Sequence, residues 1–317
     1  MKKILFTGLV TVIMAALFVT GCQKKADSGD KPYRIAYLPG DMANESQAYS
    51  AKQFQKLGSA MGFEVQILDG RADAQVQAQA VNNCVAQKFD AIFVNPNDIN
   101  GIVPSLTAAK KAGVIIGMFS SDLPANFADS RDFFVGVNDN MAGETAAQSF
   151  INQFPNGANI VEIGGQAGHD AAIKRHDGFN AAIQGTGIKV LDYKAPNAWS
   201  TSEAMSIMED MIAKYGSQIQ GVFCHWDNGA TGVIEAAKAA GISNLFIVAV
   251  DGCRAGFDQV KAGDQSNTIM QNFATQVERS LEVALKAIKK EPFDVINLVP
   301  LDDVNKTNID SFEYPEW

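Results

Sequence analysis

The chain has 317 residues, enough for about two domains of ordinary size. Apolar residues make up 47% and charged residues 19%, a globular composition that excludes a disordered chain. The net charge is −9, and removing the first 21 residues, which carry Lys2 and Lys3 and no acid, takes it two units lower, to −11. So acidic a protein repels nucleic acid and anionic membrane surfaces and leaves neutral or cationic small ligands open.

Lys2 and Lys3 precede the apolar run "ILFTGLVTVIMAALFV", which reads as a secretory signal over residues 1–21. The run ends in "FVTGC", which resembles the lipobox of bacterial lipoproteins. That resemblance implies cleavage before Cys22 and acylation of it. "QKKADSGDKP" follows and reads as a flexible tether over residues 22–32. The remaining cysteines, Cys84, Cys224 and Cys253, have no CxxC spacing, so no zinc or redox motif is expected. Cys224 and Cys253 end successive predicted strands, as free thiols or as a disulfide pair.

From Tyr33 onward, short β-branched and aromatic runs alternate with longer runs of helical spacing. "RIAYLP" is a predicted strand, and "AYSAKQFQKLGSAMG" a helix ending at Gly62. Next come "FEVQIL", the helix "AQVQAQAVNNCVAQ", "AIFVNP", the helix "GIVPSLTAAKKAG" and "VIIGMF". Strands apolar on both faces predict a parallel sheet covered by helices on both sides. "DFFVGVNDNMAGETAAQSF" closes this array near Val137–Asn140, and a second begins. It runs through "ANIVEI", a helix from Asp170, "IKVLDY", the helix "SEAMSIMEDMIAKYG", "GVFCHW", the helix "NGATGVIEAAKAAG" and "LFIVAVDG". "NTIMQ", one long helix and "VINLVPLDDVN" end the chain. The fold class is therefore α/β, with two Rossmann-like lobes and parallel sheets. Leftover elements at the end predict crossings between the lobes. Ligands of such sheets bind at the strands' carboxyl ends, which puts the site between the lobes.

The motifs of phosphate and hydrolase chemistry are missing. "GGQAG" lacks G-x-G-x-x-G spacing, and there is no P-loop, no G-x-S-x-G elbow and no H-E-x-x-H. His169 and His176 read as solvated or supporting residues. What recurs is a polar or aromatic residue just beyond a strand. The cases are Asn44, Asn95, Ser120 to Asp122, Trp199, Trp226, Asp227 and Asp251. Each alone also serves as a turn or N-cap residue. Together their amides, carboxylates and indole faces match the hydroxyl edges and CH faces of a sugar. On the helix from Asp170, Arg175 shares a stripe with Phe179 one turn nearer the strands' carboxyl edge, where its five donors suit vicinal hydroxyls.

"NPND" (95–98), "KAGVIIGMFSSD", "GGQAGHDAAIKRHDGF", "GVFCHWDNGATGVIEAAKAAG" and "VAVDG" together resemble the ribose-binding-protein family. Its members are periplasmic sugar-binding proteins, type I substrate-binding components of ABC importers. The resemblance covers about residues 33–300. It implies a three-segment hinge near Asn138–Asn140, Gln271 and Val299–Leu301. The first lobe would be 33–137 plus 272–298, and the second 138–271 plus 299–317. It also implies solute contacts from Asn44, Asn95, Arg175, Trp199, Asp251 and Gln271.

The chain departs from the family in three places. The first loop reads "NESQ" and lacks the paired aromatics, for which Tyr37 or Phe119 could substitute. The aspartate after the fourth strand is Ser120, with Asp122 two residues on. The asparagine of A-x-N-D is Trp226, followed by Asp227. A standard ribose site is therefore not expected; another pentose, a hexose, a polyol or a sugar-like signal is open. The expected partners are a sugar or polyol, a permease and, through the lipid at Cys22 only, a membrane. No nucleic acid, cofactor or metal is expected, and the protein should act as a monomer outside the cytoplasm. A sensor docking on a membrane receptor shares the same residues, and an α/β enzyme would need a nucleophile and base that the motifs do not supply.

Overall fold

The computed structural model describes residues 31–317. The expected signal segment, Cys22 and the tether as far as residue 30 lie outside the described residues. Among these, no helix is long and apolar enough to cross a membrane.

The first lobe begins β1 (Arg34–Leu38), α1 (Glu45–Ala60), β2 (Glu64–Ile67), α2 (Ala74–Ala86), β3 (Ala91–Val94), α3 (Val103–Lys111), β4 (Ile115–Phe119) and β5 (Phe133–Gly136). A later strand, β11 (Ile296–Leu298), completes a six-stranded sheet of order β11-β5-β4-β3-β1-β2, parallel throughout. Side chains alternate across a strand, and here both faces are covered. Ile35, Tyr37, Phe93 and Phe133 face one core, while Ala36, Leu38, Ile92 and Met118 face the other. Apolar strands therefore lack a polar face, which is why "AIFV" is legible as a buried parallel strand.

The second lobe holds α4 (Asp139–Gln153), β6 (Ala158–Ile163), α5 (Asp170–Ala182), β7 (Ile188–Lys194), α6 (Thr201–Tyr215) and β8 (Gly221–Cys224). It continues with α7 (Asp227–Ala239), β9 (Phe246–Asp251), α8 (Arg254–Ala262), β10 (Asn267–Gln271) and β12 (Leu301–Asn305). Its sheet order is β12-β10-β9-β8-β6-β7, and only β12 runs antiparallel to its neighbour. The helix α9 (Phe273–Ile288) returns to the first lobe and buries Phe273, Val277 and Leu281 in its core.

The chain thus passes between the sheets three times: at Val137–Asn138, at Asn272 and at Val299–Pro300. Two crossings end on an asparagine in nearly the same conformation, Asn138 at φ −85, ψ 97 and Asn272 at φ −83, ψ 90. Each side chain accepts an N–H three residues on, from Met141 at 3.2 Å and from Thr275 at 3.0 Å. The crossings are therefore helix N-caps as well, and the caps fix where each helix starts.

The last residues depart from the expected assignment of 299–317 to the second lobe. Arg254 of α8 donates its N–H to the Trp317 carbonyl (2.6 Å) and its Nε to Pro315 O (3.0 Å). The Trp317 ring instead lies on the first lobe, stacked on Tyr49 at 5.7 Å and edge-on to Phe273 at 5.3 Å. Gln53 of α1 donates to Glu316 at 3.2 Å. An apolar ring gains more by covering Tyr49 and Phe273 than by facing water, so the strap spans both lobes. Trp317→Ala should cost about 1–2 kcal/mol through the lost aromatic contacts, lowering the thermal midpoint by several degrees in calorimetry. An unchanged midpoint would show that the strap contributes nothing.

Candidate functional site

Between the lobes, at the carboxyl ends of both sheets, lies a narrow cavity of about 40 Å³, at the place where open α/β sheets bind ligands. Eight of the ten residues singled out from the sequence line it: Asn44, Asn95, Ser120, Arg175, Trp199, Trp226, Asp251 and Gln271.

Arg175 is 3% exposed. Its Nε donates to Asp139 Oδ1 of α4 at 2.9 Å, and its Nη1 to the His225 carbonyl at 2.5 Å. These two bonds aim the guanidinium and leave Nη2 without a hydrogen bond among the described residues. A buried cation needs such partners. Burial pushes the Asp139 carboxyl upward, and the adjacent Arg175 charge opposes that. The helix crossing that brings Asp139 this near depends on Gly143 and Gly178, because a Cβ on either would strike a backbone carbonyl oxygen of the facing helix, of Arg175 or Asn140 respectively.

Asp251 and Gln271 end adjacent strands, β9 and β10, and Gln271 Nε2 donates to Asp251 Oδ1 at 2.9 Å. Burial drives the Asp251 carboxyl well above its ordinary range, the nearby Asp227 and Asp139 add to this, and Arg175 pulls it back. Trp199 and Trp226 meet edge to face, with centroids 5.5 Å apart, and form an L-shaped apolar corner. The Arg175 guanidinium lies 5.9 Å from the Trp199 ring centre. Two cavity residues, one per lobe, have backbones strained into positive φ: Ser120 at 61° and Asp251 at 134°. Such strain in a non-glycine residue costs about 1–3 kcal/mol and collects at functional positions.

Three lining side chains keep a buried polar atom with no partner: Asn95 Oδ1, Gln271 Oε1 and Trp226 Nε1. Buried polar atoms are ordinarily satisfied. Here two acceptors and one donor, drawn from both lobes, are left for something else.

Asp122 and Asp227 are not part of this cavity. Arg131, 7% exposed, draws Asp122 into a bidentate pair, with Nε to Oδ1 at 2.5 Å and Nη2 to Oδ2 at 2.8 Å. Asp227 accepts four hydrogen bonds. They come from Gly252 N (2.8 Å), Cys253 N (3.2 Å), Gln265 Nε2 (2.8 Å) and Thr268 Oγ1 (2.7 Å), so its acceptor capacity is spent inside the lobe. Tyr37 and Phe119 do not substitute for the missing first-lobe aromatics. Both are fully buried, packed with Phe54 in the core. Cys224 and Cys253 are free, buried thiols.

The sequence reading gave His169 as solvated or supporting, and the structure buries it in the cavity wall instead. His169 caps α5, its Nδ1 accepting Ala171 N–H at 3.3 Å, and its ring meets Trp199 edge to face at 5.3 Å in the cavity wall. Burial, with Arg175 and Lys174 nearby, holds its pKa down to about 3. It is therefore neutral, and because Nδ1 accepts, the proton is assigned to Nε2. Ser46, Gln47 and Phe273 complete the first-lobe wall. His176 and His225 both meet the buried Glu162, at 3.0 and 2.9 Å, and lie behind Arg175 instead of in the cavity. Among the described residues no cluster of His, Cys, Asp or Glu could hold a metal ion.

Residues 35–292 match the family model described as the periplasmic binding protein domain. The chain belongs to that family. A xylitol-binding protein of Mycolicibacterium smegmatis is 29% identical over 244 residues, 75% of this chain and 67% of that protein. A periplasmic solute-binding protein of Actinobacillus succinogenes, solved with bound D-allose, is 25% identical. It superposes at a TM-score of 0.83, covering 88% of this chain and all (100%) of that one. A solute-binding protein of Bacillus halodurans, solved with myo-inositol, is also 25% identical, with a TM-score of 0.83 and coverage of 90% and 98%. In this periplasmic binding protein, Asp227, which opens α7, and Asp251, which ends β9, are held differently. Asp227→Ala strands four donors at about 1–3 kcal/mol each and should lower the unfolding midpoint strongly. Asp251→Asn removes a carboxylate that burial disfavours and should leave the midpoint of the empty protein unchanged or higher. Thermal unfolding at neutral pH separates the two, and equal destabilisation would contradict the assignment.

Proposed function

We propose that this chain is an exported, lipid-anchored solute-binding protein. It captures an uncharged monosaccharide or polyol between its lobes and delivers it to an ABC importer. The observation that carries this reading is the set of unpartnered atoms around one cavity. Asn95 Oδ1 and Gln271 Oε1 accept, and Trp226 Nε1 donates. Arg175 Nη2 and His169 Nε2 add two more donors. A hydroxyl both donates and accepts, so a polyhydroxylated ring or chain satisfies such a mixed set where a purely anionic or apolar ligand does not. Its CH face rests in the corner of Trp199 and Trp226. The solutes named for the relatives, xylitol, D-allose and myo-inositol, are all uncharged and rich in hydroxyls. No residue is assigned a catalytic role.

Closure follows from the same atoms. A closed, empty cleft leaves each unpartnered group desolvated at about 1–3 kcal/mol, so the empty protein favours the open form. The solute offsets that cost by contacting both lobes at once, and this differential contact shifts the population toward closure. The lobes already meet in the structure. Asn228 Nδ2 donates to Glu45 Oε2 at 3.0 Å, and Asp122 N–H to Asp170 Oδ2 at 3.3 Å. The acylated Cys22 would tether the monomer outside the membrane, in reach of a permease pair, with no cofactor required.

Isothermal titration with D-ribose, xylitol, D-allose, D-fructose and myo-inositol tests the reading. At least one should bind, and Arg175→Ala should weaken that binding by about tenfold or more, the worth of a charged hydrogen bond. Affinity untouched by the substitution would refute the assignment. Closure of the empty protein should also depend on pH. Burial raises the Asp251 pKa from 3.8 toward about 8, so the closed form binds a proton that the open form releases. Falling pH through that window should therefore favour the closed empty form. Small-angle scattering should show compaction between about pH 8.5 and 6, absent in Asp251→Asn; compaction in the opposite direction would contradict it.

A further inference from the structure

Beside the inner cavity lies a second chamber of about 330 Å³, partly open to solvent. The two spaces adjoin and share a wall, since Asn44, Ser46, Trp199, Trp226 and Asp251 line both. The outer chamber adds Glu45 from α1, Thr201, Asn228 and Thr231 from the second lobe, and Trp317 from the strap. The chain has three tryptophans in all, and all three stand in this chamber's wall.

The chamber is not a gap awaiting further closure. The lobes are already joined beside it by the Asn228–Glu45 hydrogen bond, and Trp317 is fixed by its stack on Tyr49 and its bond to Arg254. A binding protein that encloses a single small ring would have those surfaces meet. Here they stand apart, and the space between is furnished like the inner site, with indole faces, hydroxyls and an amide. Of its two acidic lining residues, Glu45 is exposed and Asp251 is the one that burial keeps protonated in the closed cleft, and no Lys or Arg lines it.

We propose that the outer chamber is a second sugar subsite, so that the solute is a two-unit neutral glycoside. One unit fills the inner cavity, and the other leaves it through the shared wall of Trp199 and Trp226 to lie against Trp317. This rests on the proposed function, since it extends the solute assigned to the same cleft. The Glu45 carboxylate, with no Lys or Arg in the lining to counter it, favours an uncharged second unit over a uronate.

Titration calorimetry on the whole protein tests it. The probes are maltose, cellobiose, melibiose, galactosyl-inositol and a uronate-terminated disaccharide, each against its constituent single units. At least one neutral two-unit probe should bind about tenfold or more tighter than its inner unit alone, roughly one stacking contact's worth. Its uronate counterpart should bind more weakly. Trp317→Ala should remove that advantage while leaving the affinity for the single unit within about threefold. Ala43→Trp keeps the strap intact and fills the outer chamber from an exposed position that the inner cavity does not share. It should do the same. The inference is overturned if single units bind as tightly as every two-unit probe, or if both variants weaken the two classes equally. If no sugar of either size binds, the proposed function itself fails.

Discussion

The arrangement turns on one buried cation. Arg175 lies on the second lobe's first helix after the hinge helix, at 3% exposure, and it must be paired to be there at all. Asp139 pairs it from the first turn of α4, immediately after the crossing at Val137–Asn138. The residue that holds the arginine is thus attached to the hinge itself. The His225 carbonyl takes a second donor and sits one residue before Trp226. Hinge, guanidinium and indole corner are therefore one connected unit. A shift in any of them would leave a charge or a carbonyl unsatisfied.

That rigidity is asymmetric. The second lobe brings Arg175, Trp199, Trp226, Asp251 and the neutral His169. The first contributes mainly amides and hydroxyls, from Asn44, Ser46, Asn95 and Ser120, with Phe273 at the hinge side. Under the proposed function, this asymmetry would divide binding from closure. The second lobe's apolar faces and strong donor would hold a solute in the open cleft. The first lobe's directional bonds would form as the cleft shuts.

Much of the fold is legible in the sequence because parallel strands buried on both faces leave unbroken apolar runs. Gly62 and Gly113, at φ 86 and 91, mark where helices stop. What stays hidden has a physical cause each time. The helix α4 has Gly143 and a run of alanines, residues chosen for the close crossing with α5, and they blur its apolar stripe. The helix α8 buries only Gly256, Phe257 and Val260 and reads as polar. In the site, Asp122, Asp227 and Asp251 look alike as carboxylates beyond strand ends. Their partners, Arg131 for the first and Gln265 with Thr268 for the second, arrive from other parts of the fold, so local sequence cannot tell a ligand-facing acid from one already saturated. His169 reads as solvated or supporting for a related reason. A histidine at an N-cap carries no periodic signal, and only the fold places its ring in the cavity wall.

The most direct measurement is a crystal structure of the protein loaded with the tightest-binding sugar or polyol. The account predicts electron density for that molecule between the lobes, with oxygens within hydrogen-bond reach of Arg175, Asn95, Gln271 and Trp226 Nε1 and a CH face against Trp199. A loaded crystal whose cleft holds nothing, with the molecule bound away from Arg175 and the two indoles, would contradict it.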